Sequence, residues 1–112
     1  MMNEFTLKAD FGMTATDNGF KLFGINAGDV IAFESCKDVP ANGSLVAVSV
    51  DNGPTTLKRI SYYGDGMDCY LEGGSGKVAP IFISAAECSR MKIIGVAVSV
   101  IHSLIPDAEK GA

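Results

Sequence analysis

Lys58 is the side chain in this sequence best suited to chemistry. It lies in Thr55-Thr56-Leu57-Lys58-Arg59-Ile60-Ser61-Tyr62, a run rich in β-branched residues that reads as a strand. Alternation sets Lys58 with Thr56 and Ile60 on one face and Leu57 with Arg59 on the other, so one of the two basic residues is expected to face inward. Desolvation disfavours an ammonium, and a lysine in a partly apolar setting can give up its proton and serve as general base for a nearby hydroxyl. The ordinary alternative is a stem that snorkels to water from a half-exposed strand. His102 ends an apolar run and no serine or cysteine is tied to it by spacing, so it reads as a satisfied core or interface histidine rather than a base. Cys36, Cys69 and Cys88 are an odd number without a Cys-x-x-Cys pair, and beside a single histidine they fit neither a disulfide framework nor a zinc site. They are expected to remain thiols in a reduced, cytoplasmic protein. No cofactor or metal is expected.

The elements that position these residues are strands. Thirteen glycines against four prolines, with abundant Val and Ile, favour many short strands and tight turns, and the composition leans all-β. Turn sequences at Asp17-Asn18-Gly19, Asn26-Ala27-Gly28-Asp29, Pro40-Ala41-Asn42-Gly43, Asp51-Asn52-Gly53-Pro54 and Gly64-Asp65-Gly66 divide the chain into candidate strands at 4–8, 12–15, 30–34, 45–50, 55–62, 67–71, 79–83 and 91–101. The clearest hairpin joins 45–50 to 55–62. Ser84-Ala85-Ala86-Glu87 has capping-box spacing but leaves room for at most one short helical turn before the next strand. Glu72-Gly73-Gly74-Ser75-Gly76-Lys77 reads as a wide loop, and the tail 106–112 as a polar end that frays. One domain over residues 1–112 is the default for 112 residues.

A net charge of −4, with basic residues scattered singly apart from Lys58-Arg59, argues against a nucleic-acid surface. The opening Met1-Met2-Asn3-Glu4-Phe5 has neither the basic nor the apolar region of a signal peptide. The longest near-apolar run, 93–105, contains Gly95, Ser99, His102 and Ser103 and is too short to cross a bilayer, so no membrane association is expected.

Four motifs in order carry a resemblance. Gly28-Asp29-Val30-Ile31-Ala32-Phe33, Val39-Pro40-Ala41-Asn42-Gly43-Ser44-Leu45-Val46-Ala47-Val48, Thr56-Leu57-Lys58-Arg59-Ile60 and Ile94-Gly95-Val96-Ala97-Val98-Ser99-Val100-Ile101 together resemble the C-terminal domain of LexA/UmuD-type self-cleaving Ser-Lys peptidases, relatives of signal peptidases, over about residues 11–104. The resemblance implies an all-β, signal-peptidase-like fold of coiled sheets. It places Lys58 at the family's general-base position and Gly19 at the position of the nucleophilic serine, since Asp17-Asn18-Gly19-Phe20 stands where the family has Gly-Asp-Ser-Met. Glycine offers no nucleophile, and Phe20 replaces the usual methionine.

That departure changes the expected chemistry. The family mechanism needs a hydroxyl that the neutral lysine deprotonates for attack on a peptide carbonyl. Without it Lys58 is a relic of the base, a packing residue, or a hydrogen-bond donor to something else. Only about ten residues precede Phe11, so no DNA-binding helix-turn-helix or cleavable arm has support in this sequence. The reading is a catalytically inactive regulatory or interaction domain that holds an extended peptide or a repressor partner and forms a homodimer through Met91–Ile101. That strand carries apolar side chains on both faces, and the resemblance implies pairing through the same region. The alternatives are a Ser-Lys peptidase drawing its nucleophile from Ser61 or Ser35, and a phage or mobile-element protein related to a repressor.

Overall fold

A computed structural model describes residues 9–16, 19–35, 38–64, 67–74 and 79–102. The expected strand at 4–8, Cys36 and the tail 106–112 lie outside them. The strands are β1 (Phe11–Thr14), β2 (Val30–Ser35), β3 (Leu45–Val50), β4 (Thr56–Tyr63), β5 (Asp68–Glu72), β6 (Ile81–Ile83) and β7 (Met91–Ile101). They form one antiparallel sheet in the order β1-β2-β7-β3-β4-β5-β6. The all-β expectation holds: the only helical pieces among the described residues are 3₁₀ segments at Lys21–Phe23 and Ala85–Arg90. None of them is long and apolar enough to cross a membrane.

The last strand in sequence sits near the middle of the sheet, and its apolar pattern explains why. β7 pairs with β2 from Val30↔Ile101 to Ser35↔Gly95, and with β3 from Val46↔Val96 to Val50↔Met91. Ile94 and Val98 are the extra residues at two irregularities, between partners Ala47/Val48 and Ala32/Phe33. Each bulge resets the alternation and bends the strand. β7 thereby feeds two clusters on opposite faces of the sheet. Met91, Ile93 and Val96 pack on Val46, Val48, Ile60, Cys69, Leu71 and Ile83. Ile94, Ala97 and Val100 pack on Phe20, Ile25, Ile31, Phe33 and Ala47. β3 sends Val46 and Val48 to the first cluster and Ala47 to the second, all fully buried, so it too is covered on both faces. Cys69 fills the core, where burial, then the charge of Asp68, pushes its thiol pKa up.

Gly95 marks the tightest point of the sheet centre. The Phe11 ring lies over it, stacked on Phe33 with centroids 5.0 Å apart. A Cβ at this position would come within 2.8 Å of the Phe11 ring and 2.7 Å of the Glu34 carbonyl oxygen.

The clearest expected hairpin also forms. Asp51 and Asn52 take positive φ (52° and 61°), and the Gly53 N–H donates to the Val50 carbonyl, the geometry of a two-residue primed turn. Arg90 clasps this turn with two bonds to the Asp51 carboxylate (2.8 and 2.9 Å), which hold that carboxyl below its usual range. Before it, Ala85–Arg90 exceeds the single turn expected from Ser84–Glu87: the Ala85 N–H donates to Asp68 Oδ1, and the segment is broken at Glu87. At the far end of β7 the pairing is one-sided, because β3 stops opposite Val96 and residues 97–101 are paired with β2 alone.

Replacing Gly95 by Val should lower the denaturant midpoint by the equivalent of about 1–3 kcal/mol, the usual range for overpacking a closed site. An unchanged midpoint would contradict the packing of Phe11 over this glycine.

Candidate functional site

The first basic residue of β4 opens onto a cleft. Its volume is about 390 Å³, within the range of roughly 300–1,000 Å³ typical of small-ligand sites. Its walls come from Met13, Thr14, Ala15 and Thr16 on one side and Thr55, Thr56, Leu57 and Lys58 on the other, with Phe20, Ile25, Ile31 and Gly74 completing the lining. Consecutive residues of a strand point to opposite faces, so a cleft lined by four in a row runs along the strand's edge rather than across a face. Both edges are open among the described residues. Among the described residues β1 pairs only with β2, and the pairing of β4 with β5 begins at Arg59↔Glu72, leaving residues 56–58 without a partner on that side.

Three glycines shape the end of the cleft. Gly74 lies so close to Gly19 that a Cβ on it would overlap the Gly19 carbonyl and meet the Phe20 N–H nitrogen at 2.8 Å. A Cβ on the adjacent Gly73 would stand 3.3 Å from Lys58 Nζ. The loop after β5 therefore brings Lys58 and the Gly19-Phe20 turn to the same place, although 38 residues separate them in sequence (20 to 58). Behind this turn the 3₁₀ segment Lys21–Phe23 buries Phe20 and sets Phe23 under the Arg59 guanidinium, 5.8 Å from ring centroid to Cζ. Of the two basic residues, Lys58 is half-buried and lines the cleft while Arg59 is exposed.

Chemically the cleft is apolar with one charge. Among the described residues Lys58 is the single charged residue lining it, and it has neither an ion pair nor a hydrogen bond. Thr14, Thr16, Thr55 and Thr56 bring hydroxyls, yet none is bonded to the lysine, so among the described residues no nucleophile–base pair is assembled. The other nucleophiles considered from sequence lie elsewhere: Ser61 pairs with Tyr70 and Ser35 with Gly95, and neither reaches the cleft.

His102 is exposed instead of buried in a core. Its Nδ1 lies 2.7 Å from Oδ2 of the buried Asp29, which also accepts from the Asn26 N–H at 2.8 Å. The pair ties the end of β7 to the turn that starts β2, where Gly28 takes a φ of +91°. Sequence reasoning missed this link and the part played by Gly73 and Gly74. The two glycines belong to a stretch that reads as a loop, and 73 residues separate Asp29 from His102.

No protein-family model matches the chain. It is similar to the LexA repressor of Actinobacillus succinogenes, 33% identical over 99 residues covering 88% of this chain and 45% of the repressor. The LexA repressors of Mannheimia succiniciproducens and Pasteurella multocida are each 31% identical, over 88% and 90% of this chain and 45% and 46% of their own lengths. The chain thus spans somewhat less than half of the relatives it matches.

Proposed function

Because the chain is a homologue of LexA repressors, of the LexA/UmuD C-terminal-domain type, we propose that it is a catalytically silent regulatory or interaction module that self-associates and holds an extended peptide in the cleft beside Lys58. The observation that carries this reading is the pair of open strand edges. Backbone N–H and C=O groups along β1 and along the start of β4 face a cleft of ligand size, the arrangement that receives a peptide by strand addition. Apolar lining from Met13, Phe20, Ile31 and Leu57 offers pockets for side chains. The resemblance puts Gly19 at the nucleophile position, and the same turn lies beside Lys58 here. What a serine and lysine would do to a bound peptide, glycine and lysine leave undone.

Self-association rests on the far end of β7. Val30, Val98 and Ile101 are each more than a third exposed, and Val30 pairs with Ile101 across the strands. Beside them residues 97–101 present an edge that β3 does not reach. A twofold contact there would cover edge and apolar surface with the same patch on each subunit. Residues 91–93 pair with β3, and Gly95 and Val96 pair with both neighbours, so the contact is assigned to the C-terminal half of Met91–Ile101, where the exposed apolar residues lie. Val100 packs inward on the second cluster and takes no part.

Incubation at alkaline pH should leave the mass of the protein unchanged, and a fluorophosphonate probe should label no serine. Labelling that disappears in Lys58→Ala would contradict catalytic silence. Light scattering at micromolar concentration should give a dimer that Val98→Asp converts to a folded monomer. A monomeric mass that does not change on concentration would rule the dimer out.

A further inference from the structure

We propose that the peptide held in this cleft ends there, with its free C-terminal carboxylate bound to the Lys58 ammonium. The inference rests on the peptide-binding reading above and specifies the ligand. Charged side chains taken out of water are ordinarily paired. Lys58 is half-buried, and among the described residues it is the one charge lining the cleft and has no partner. The missing counter-charge is an anion supplied from outside.

Its kind follows from the surroundings. Met13, Ala15, Phe20, Ile25, Ile31 and Leu57 give an apolar lining with no second cation among the described residues, and the chain carries a net charge of −4. A nucleic acid or polyphosphate would find one partner and a repelling field. A single carboxylate on an apolar peptide matches both the lone charge and the lining. The open edges of β1 and β4 require the rest of the ligand to be extended backbone.

Position argues for a chain terminus over an acidic side chain. Beside Lys58 the Gly73-Gly74 loop closes onto the Gly19-Phe20 turn, backbone against backbone, at a separation that leaves no room even for a Cβ on Gly74. A peptide running along the strand edges meets this wall beside Lys58. The glycine at position 19 fits the same arrangement, because it adds no side chain where the carboxylate sits.

The test compares two mixtures of N-acetylated hexapeptides, randomised at every position, one ending in a carboxylate and the other in an amide. Binding to the intact chain is read by mass spectrometry of the retained peptides, and dissociation constants are then measured for those recovered. The acid forms should bind about tenfold more tightly than their own amides, a difference of the size one charge-assisted bond supplies. Lys58→Met should remove the difference between the acids and their own amides. Equal binding of acids and amides overturns the terminal-carboxylate assignment and leaves the peptide-binding reading standing. Recovery of amides enriched in Asp or Glu at the last position overturns it in favour of a side-chain carboxylate. Retention of neither mixture overturns both.

Discussion

A strand that is apolar on both faces has to be covered on both faces, and in this protein that strand is β7. It is laid between β2 and β3 and supplies side chains to a cluster on each side of the sheet. A flat sheet with seven strands would leave one of those clusters in water. The bulges at Ile94 and Val98 let the sheet bend so that each half folds over its own cluster. The cleft follows from this bending: β1 with β2 lies on one side of the central strands, β4 with β5 and β6 on the other, and the edges of β1 and β4 face a common space. Close approaches at Gly95 and Gly74 then fix the packing, the first under an aromatic ring, the second against a neighbouring turn.

On this scaffold the difference between a peptidase and a binding module is small in atoms. The open edges that would align a peptide for cleavage are the ones that would hold it without cleavage. A lysine beside a serine hydroxyl can work as a base; in the reading proposed above, Lys58 beside the Gly19 turn acts through its charge. In the proposed complex, a ligand with the opposite charge pairs with that amine. The charge, the wall and the strand edges converge on one site because the loop after β5 folds back on the Gly19-Phe20 turn.

Much of the architecture can be read from local pattern. The span 45–50 coincides with β3, because a β-branched run flanked by Asn-Gly and Asp-Asn-Gly turns leaves little choice of boundary, and 91–101 coincides with β7, a long apolar run between Arg90 and His102. The strand expected at 79–83 shrinks to Ile81–Ile83, since Ala79 and Pro80 precede the pairing with β5. The 3₁₀ turn at Lys21–Phe23 gives no periodic signal, being a single turn held by the bonds from Phe23 and Gly24 N–H groups to the Phe20 and Lys21 carbonyls. Lys58 is legible because a basic residue in an apolar strand is unusual, and the order of the motifs marks Gly19. Their common site is not legible: it is made by Gly73 and Gly74, whose sequence resembles a linker, and by tertiary contacts that no local pattern encodes. The bond that satisfies His102 is not legible for the same reason, its partner Asp29 lying 73 residues away.

The most direct test of the account maps where an extended peptide lies. Amide chemical shifts of the isotope-labelled chain, followed by NMR during titration with an acid-terminated hexapeptide, should move at residues 13–16, 19–20, 55–58 and 73–74, the two open edges and the wall between them. Shifts confined instead to the outer face of β4 to β6, where Tyr63, Tyr70 and Phe82 form a cross-strand aromatic row, would contradict the claim that the cleft beside Lys58 is the working surface of this protein.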